Sequence, residues 1–450
     1  MPGKAVRGRL GHPVLGSPAE GIDPYLPQNG NVGYRVSRYE LDLEYKVAAN
    51  RLTGTAVITA TALSGLDRLS IDLSGALKVD RVSVNGKRVA KFTHRAGKLV
   101  ITLAALRSGA AFEVVVKYGG TPKPVRGPWG EVGWEELSEG ALVASQPNGA
   151  ASWFPCDDHP SSKAAYQISI TTDSPFYALA NGTLLRKRTK ATQTTWIYEQ
   201  VEPMATYLAT IAVGPYVRIP VATDSVPISA VLPARLKNEF AIDFGRQGQI
   251  MAAFVDMFGP YPFPEYTVVV TDDPLEIPIE AQGISTFGAN HCDGTRDSER
   301  LVAHELAHQW FGNSLTLSRW KDIWLHEGFA CYAEWLWSER SGGPSADECA
   351  RKHFAHLVDS CHVGTLADPG PDQMFDDWVY KRGALTLHAV RVRLSDTAFF
   401  TLLRDWCRDH RYSSVTTEEF VDFAGHYSSE SLRPLFTAWL HTAGLPDFPG

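Results

Sequence analysis

The fold and chemistry of this chain are indicated first by His304-Glu305-Leu306-Ala307-His308, followed after an eighteen-residue gap by Glu327 in Leu325-His326-Glu327-Gly328-Phe329. On a helix, residues four apart lie on one face, so both imidazoles would project together. Two imidazoles and a carboxylate from a neighbouring helix are typical ligands of a catalytic zinc ion, whose fourth position is left open for water. Glu305 lies beside the first ligand, where its carboxylate could take a proton from that water.

An apolar setting distinguishes this pentad from one that occurs by chance on a surface helix. Leu301-Val302-Ala303 precede it and Leu306-Ala307 lie within it, so the histidine face is predicted to be buried. Two helices are expected, from Ser298 to Phe311 and from Asp322 to Arg340. Buried imidazoles and carboxylates are costly unless they are paired or bound to a metal ion. The residues alone leave open the alternative that both histidines are ordinary core residues.

The overall composition argues against several classes of protein. The chain has 450 residues, enough for two or three domains, and 44% of them are hydrophobic. A net charge of −7 argues against nucleic-acid binding, because no basic excess is available to replace counterions on phosphates. No run approaches the roughly 20 apolar residues of a membrane span. Six cysteines without a Cys-x-x-Cys pair, and a basic N-terminus without an apolar core, favour a cytoplasmic location.

The sequence pattern changes twice along the chain. Residues 1 to 30 are rich in Pro and Gly and lack periodicity, which favours a flexible N-terminal segment. Apolar and acidic residues alternate from Tyr39 to Tyr45, similar patterns recur further on, and Asn85-Gly86 is a strong hairpin signal. We therefore predict an antiparallel β domain at 31–219. Residues 220–450 become mixed and then helical, which predicts a second domain and an α+β fold.

These motifs resemble those of the M1 (gluzincin) family of zinc aminopeptidases, which carry His-Glu-x-x-His, eighteen residues and then Glu. The residues around Glu327 are similar to the family's Trp-Leu-Asn-Glu-Gly-Phe-Ala, with His326 in place of the usual Asn. The resemblance implies a second domain that is thermolysin-like and mostly helical. It also implies one Zn²⁺ ion bound by His304, His308 and Glu327, with Glu305 as general base.

Two further motifs imply how a substrate is held. Tyr380 to Ala384 is similar to the family's Tyr-x-Lys-Gly-Ala, with Arg382 in the lysine's place. The resemblance implies that Tyr380 donates a hydrogen bond to the oxyanion, for which a neutral phenol is suited. Ile277-Pro278-Ile279-Glu280-Ala281 corresponds by position to the family's Gly-Ala-Met-Glu-Asn, and only Glu280 is retained. Glu280 is thereby implied to bind the substrate's free ammonium group, while its altered neighbours affect the side-chain preference.

Other side chains are candidates around the site. Gln146 to Ala150 and Phe154-Pro155-Cys156 resemble another family block, in which a glutamine reaches the cleft from the β domain. Gln146 is thereby implied to bind the substrate backbone or amine. Ligand imidazoles usually donate their second N–H to an acceptor, for which Asp322 and Glu334 are candidates.

The end of the sequence predicts a short, two-domain form of the family. Trp439 to Pro446 is similar to the family's Trp-x-x-x-x-Gly-x-Pro, which closes the catalytic domain before further C-terminal domains. Because the sequence stops there, we expect those domains to be absent. The cleft is then expected to be more open, or to be closed by another subunit.

The predicted function is that of a zinc-dependent aminopeptidase acting on peptide substrates, with no nucleic-acid or membrane partner and no prediction of oligomeric state. One alternative is a hydrolase with the same site but another specificity, either an endopeptidase or an epoxide hydrolase like leukotriene A4 hydrolase. The other is a non-catalytic peptide-binding protein that keeps the fold. Such a protein typically loses its general base or its oxyanion donor, whereas Glu305 and Tyr380 are both present.

Overall fold

The structure, a computed structural model, describes residues 22–222, 226–358 and 364–449. An N-terminal domain built of β-sheets precedes a mostly helical domain. The predicted α+β fold class is therefore confirmed.

The N-terminal domain consists mainly of strands. Its strands are β1 (Tyr34–Lys46), β2 (Arg51–Ala62), β3 (Leu66–Asp72), β4 (Leu77–Val84), β5 (Lys87–Arg88), β6 (Phe92–Arg95), β7 (Lys98–Leu106), β8 (Ala111–Gly120), β9 (Val125–Gly127), β10 (Gly130–Leu137), β11 (Gly140–Ala144), β12 (Lys163–Asp173), β13 (Tyr177–Ala180), β14 (Thr183–Lys190), β15 (Gln193–Ala205) and β16 (Ile211–Gly214).

Three sheets form this domain in the described residues. Their strand orders are β14-β15-β12-β1-β2-β8-β4-β5, β13-β16-β11-β10-β9 and β3-β7-β6. Neighbouring strands run antiparallel, as predicted, except that β1 pairs with β12 in parallel. A parallel pair needs a long crossover, and the chain between β2 and β12 provides it.

The alternating pattern that predicted these strands is the physical reason that they form sheets. In β1, Tyr39, Leu41 and Leu43 are buried, whereas the acidic residues between them are exposed. One face of the sheet thus packs on the core while the other meets solvent. Asn85 and Gly86 connect β4 to β5 with φ angles of 49° and 75°, which confirms the predicted hairpin.

The second domain combines a small sheet with helices. Its strands are β17 (Tyr216–Ala222), β18 (Ile228–Pro233), β19 (Tyr266–Val270), β20 (Ile279–Ala281), β21 (Ile284–Phe287), β22 (Thr316–Leu317) and β23 (Ser414–Val415). Its helices are α1 (Lys237–Asp243), α2 (Gln247–Phe258), α3 (Glu299–Ala307), α4 (Trp324–Arg340), α5 (Ala346–Val358), α6 (Asp377–Leu394), α7 (Asp396–Asp409), α8 (Thr417–Gly425) and α9 (Arg433–Phe436). Within the described ranges, no helix combines the length and the hydropathy needed to span a bilayer.

The main sheet of the second domain has the order β17-β18-β19-β21-β20. Strands β18, β19 and β21 run parallel, and the short antiparallel strand β20 forms one edge. Because β17 starts at Tyr216, this sheet begins slightly before the boundary predicted at residues 219 and 220.

Helix α3 is shorter than the predicted Ser298–Phe311, since it ends at Ala307. Beyond this point the backbone turns more widely. The amides of Asn313 and Ser314 donate to the carbonyls of His308 and Gln309, five residues earlier. Local backbone hydrogen bonds of other spacings, which the apolar pattern does not encode, therefore replace the α-helical pattern beyond Ala307.

A flexible segment was predicted at residues 1–30, of which residues 1–21 lie outside the described residues. Its described part is packed against the second domain. The Asp23 carboxylate accepts a hydrogen bond from the Trp320 amide at 2.8 Å, and the Tyr25 hydroxyl accepts one from the Gly370 amide at 2.8 Å. Leu26 is buried.

Two glycines allow helices α4 and α6 to approach each other closely. A Cβ atom added to Gly328 on α4 would lie 2.7 Å from the Cα atom of Gly383 on α6, and the converse distance is also 2.7 Å. Contacts this short require the backbone to shift. The close approach matters because α4 carries Glu327 and α6 carries Tyr380.

We predict that Gly383→Ala lowers the free energy of unfolding. The gain in helix propensity is about 1 kcal/mol, whereas overpacking costs about 1–3 kcal/mol and here involves rigid backbone. Gly425→Ala is the matched control, because Gly425 is also helical and a Cβ there meets nothing within 4 Å. Urea denaturation should show Gly383→Ala less stable than Gly425→Ala. Equal stabilities would contradict the proposed close approach.

Candidate metal centre and active site

Three side chains from α3, its C-terminal end and α4 converge on one point. The Nε2 atoms of His304 and His308 each lie 3.4 Å from Oε2 of Glu327. Two ligands bound at about 2.0–2.1 Å to a tetrahedral zinc ion are about 3.3 Å apart. Both histidine–glutamate distances therefore match the spacing of zinc ligands, the three ligand atoms lie within 4.8 Å of one another, and all three residues are buried.

This cluster stabilises positive charge. Burial alone would lower the pKa of both imidazoles. Hydrogen bonds to Glu327 and Glu334 nevertheless raise the pKa of His304 to about 9, and the charges of Glu280 and Glu327 raise the pKa of His308 to about 10. Although burial opposes it, the imidazoles hold the pKa of Glu327 below its ordinary value. A bound metal cation would replace these protons.

Further acceptors orient the two imidazoles. Nδ1 of His304 lies 2.7 Å from Oε1 of Glu334, and Nδ1 of His308 lies 3.0 Å from the Phe311 carbonyl. Because a backbone carbonyl can only accept, Nδ1 of His308 carries the proton and its Nε2 faces Glu327. Of the two predicted acceptors, Glu334 fills this role. Asp322 instead accepts hydrogen bonds from the amide and hydroxyl of Thr417.

Glu305 has the environment of an acid–base residue. Its carboxylate is buried, and among the described residues its Oε2 atom has no hydrogen-bond partner. Burial raises the pKa of Glu305 to about 7, against the opposing effect of His304 and His308. A group with a pKa near neutrality can both accept and return a proton. Carboxylate oxygens of Glu305 and Glu280 and a nitrogen of His308 lie within 4.8 Å of one another.

Glu280 and Gln146 meet across the junction between the two domains. Nε2 of Gln146, which follows β11, donates to Oε1 of Glu280 on β20 at 2.7 Å. Burial is the main cause that raises the pKa of Glu280, and the nearby charge on His308 lowers it. The two residues that the family resemblance implied for substrate binding are therefore in direct contact.

The segment after α3 holds the strand that carries Glu280, a contact that the sequence analysis missed. The Ala281 carbonyl accepts hydrogen bonds from Nε2 of Gln309 at 3.1 Å and from Nδ2 of Asn313 at 2.9 Å. These bonds link the segment that follows the predicted ligand His308 to the edge of the sheet. The only signal in the sequence was the presence of two amide side chains directly after an apolar helix.

Tyr380 on α6 lies beside the metal ligands. Its ring stacks on the imidazole of His304, with centroids 6.1 Å apart and planes inclined by 20°. Burial and the carboxylates of Glu327, Glu280 and Glu305 raise the pKa of Tyr380 well above its ordinary value. The phenol thus stays protonated and able to donate.

The two substitutions within the family motifs have structural contacts. Arg382 donates from Nε to the Trp439 carbonyl at 2.9 Å and from Nη2 to the Thr442 carbonyl at 2.6 Å, so it holds the C-terminal segment. Nε2 of His326 accepts a hydrogen bond from the Leu317 amide at 2.8 Å. Burial lowers the pKa of His326 to about 3, consistent with a neutral acceptor.

We predict that Glu334→Gln weakens zinc binding by about 10- to 100-fold, because it replaces the charged acceptor that orients His304. Competition with a fluorescent zinc chelator measures the dissociation constant. Asp322→Asn is the matched control, since Asp322 is equally buried on the same stretch of chain but bonds to Thr417. Zinc affinity that falls in the Asp322 variant and not in the Glu334 variant would contradict this assignment.

Comparison with known proteins identifies the family of both domains. The model of the peptidase M1 N-terminal domain matches residues 36–208, and that of the peptidase family M1 domain matches residues 243–439. Aminopeptidase M1-D of Oryza sativa subsp. japonica is 26% identical over an alignment of 444 positions, which covers 91% of this chain and 50% of that protein. Leucyl aminopeptidase of Saccharolobus solfataricus is 23% identical, over 92% of this chain and 54% of that protein. The chain thus spans about half the length of these relatives.

Solved structures match nearly the whole of this chain. The M1 zinc metallopeptidase from Deinococcus radiodurans is 30% identical, with a TM-score of 0.87, over 95% of this chain and 99% of that one. Another structure described as a two-domain M1 zinc metallopeptidase matches with a TM-score of 0.86. Yeast leukotriene A4 hydrolase shares the fold at 21% identity, with a TM-score of 0.81, over 96% of this chain and 71% of that one. The chain therefore belongs to the M1 family of peptidases, which includes zinc metallopeptidases, and comprises the family's N-terminal and catalytic domains.

Proposed function

We propose that this protein is a zinc-dependent aminopeptidase that removes N-terminal residues from peptides. The observation that carries the proposal is the Glu280 carboxylate, held by Gln146 next to Glu305 and His308. A carboxylate at this place supplies a counter-charge for a free ammonium group at the reacting end of a peptide. Two comparisons support the proposal. Similar proteins are named as aminopeptidases, and a similar M1 structure from Deinococcus radiodurans is bound to a Tyr-Ser-Ala substrate.

We propose that His304, His308 and Glu327 hold one zinc ion. Zinc bound there would act as a Lewis acid and lower the pKa of a water molecule. A second possible cluster, of Glu280, Glu305 and His308, shares His308 with the first, so the two clusters compete for that ligand. The first is favoured because Glu334 orients His304, whereas Glu280 is bound to Gln146.

Glu305 is proposed as the general base. Its unpaired oxygen can accept a proton from the attacking water and return it to the leaving amine. Tyr380 is proposed to donate a hydrogen bond to the oxyanion of the tetrahedral intermediate, since its phenol stays protonated beside the ligands. Glu280 then binds the substrate ammonium, and Gln146 orients the Glu280 carboxylate and contacts the substrate.

The alternatives receive less support. The similarity to leukotriene A4 hydrolase, at 21% identity, concerns the fold alone. The contact between Glu280 and Gln146 favours an aminopeptidase over an endopeptidase. A non-catalytic peptide-binding role would not require Glu305, which is buried, or the partly buried Tyr380 beside the proposed ligands. We also propose a cytoplasmic location, which agrees with the free thiols of the described cysteines.

We predict that the protein cleaves peptides with a free N-terminus and spares their N-acetylated forms. In Glu280→Gln this preference should fall by about 10- to 100-fold, because the amide can still accept a hydrogen bond from the ammonium group but no longer carries the opposite charge. The measurement is kcat/KM for matched free and acetylated peptides. Equal cleavage of both forms by the wild type would exclude an aminopeptidase and favour the endopeptidase alternative.

We predict that Glu305→Gln keeps its zinc but loses activity by at least about 100-fold, since a general base contributes this much. Zinc content by metal analysis and kcat on an aminoacyl fluorogenic panel test this. Glu299→Gln is the matched control, because Glu299 begins the same helix and bonds to Arg246 and Trp337. A fully active Glu305→Gln variant would show that the base lies elsewhere.

A further inference from the structure

A buried lysine crosses the junction between the domains. Lys163 begins β12 in the N-terminal domain, and its side chain reaches the segment that follows α3. Its Nζ atom lies 3.0 Å from the Asn313 carbonyl, 2.8 Å from the Ser314 carbonyl and 2.9 Å from the hydroxyl of Thr316. All three N–H donors of the ammonium group are thereby satisfied.

Burying the ammonium group of Lys163 at the junction is an energetically unfavourable way to join two domains. Lys163 is 9% exposed, and its three partners are neutral oxygens. Burial lowers the pKa of Lys163 to about 7. An apolar side chain of similar size would avoid the cost of desolvating a charge. The ammonium group is thus better explained by the groups it positions than by a gain in stability.

The segment that Lys163 holds contacts the proposed active site on two sides. On one side, the Phe311 carbonyl accepts the Nδ1 proton of His308. On the other, the Asn313 side chain donates to the Ala281 carbonyl, next to Glu280.

Two hydroxyl groups complete the hold on this segment. The Tyr207 hydroxyl, from the N-terminal domain, donates to the Gly312 carbonyl at 3.2 Å, and the Thr316 hydroxyl donates to the same carbonyl at 2.8 Å. The turn between α3 and β22 is therefore fixed from the N-terminal domain.

We propose that Lys163 is a positioning residue, which sets the turn at 312–316 and, through it, the orientation of His308 and the place of Glu280. The N-terminal domain then contributes to metal binding as well as to substrate binding. This inference rests on the proposed function for its effect on peptides, but its effect on zinc affinity can be measured without any substrate.

The test is Lys163→Met, which keeps an unbranched side chain one atom shorter and removes all three donors. We expect zinc affinity to fall about 10-fold, the lower end of the effect of an outer contact on a metal site. We expect KM for free-amine peptides to rise about as much as zinc affinity falls, with a smaller change in kcat of the zinc-saturated enzyme. Thr316→Val removes one acceptor and should change zinc affinity in the same direction by less.

Lys98→Met is the matched control. It removes another largely buried ammonium group, which bonds to Asp72 and the Gly30 carbonyl, away from the metal centre. This variant should lower the melting temperature while leaving zinc affinity and KM unchanged. If Lys163→Met and Thr316→Val behave like Lys98→Met, the positioning role is refuted. Absence of turnover in the wild type would refute the proposed function alone, because the zinc measurements would still decide the role of Lys163.

Discussion

Two imidazoles and a carboxylate meet in a buried space at the centre of this structure. The helices and the domain junction around them are arranged so that these side chains can meet there. The negatively charged carboxylates around the imidazoles cannot be buried so close to one another without a compensating positive charge. Glu280, Glu305, Glu327 and Glu334 all lie at or beside the imidazole pair, which acquires raised pKa values in response. A divalent cation would supply the same positive charge in place of those two protons. The apolar packing of α3, α4 and α6 then fixes the distances.

The two domains contribute to one site. The N-terminal domain supplies Gln146, which holds Glu280, and Lys163, which holds the turn after α3. The catalytic domain supplies the ligand cluster, Glu305 and Tyr380. Because polar contacts cross the junction close to the metal centre, a small change in how the domains pack should alter both the geometry of the ligands and the recognition of the substrate.

The sequence predicted those parts of the site whose geometry is local. Four-residue spacing on α3 places His304 next to His308, and the pattern of α4 brings Glu327 into the same buried layer. The predicted end of α3 was wrong by several residues, because backbone hydrogen bonds of other spacings replace the α-helical pattern beyond Ala307. The sequence could not show that Glu334, and not Asp322, bonds to His304, because this depends on which of the two carboxylates faces His304 in the folded chain. Lys163 was missed because its partners lie 150 residues away and are mainly backbone carbonyls.

X-ray absorption spectroscopy of the zinc-loaded protein would show whether His304, His308 and Glu327 bind one zinc ion. We expect a first shell of nitrogen and oxygen atoms at about 2.0–2.2 Å, with the outer-shell scattering of two imidazoles and no sulfur. A sulfur ligand at about 2.3 Å, or a shell of oxygen atoms without imidazole scattering, would contradict it.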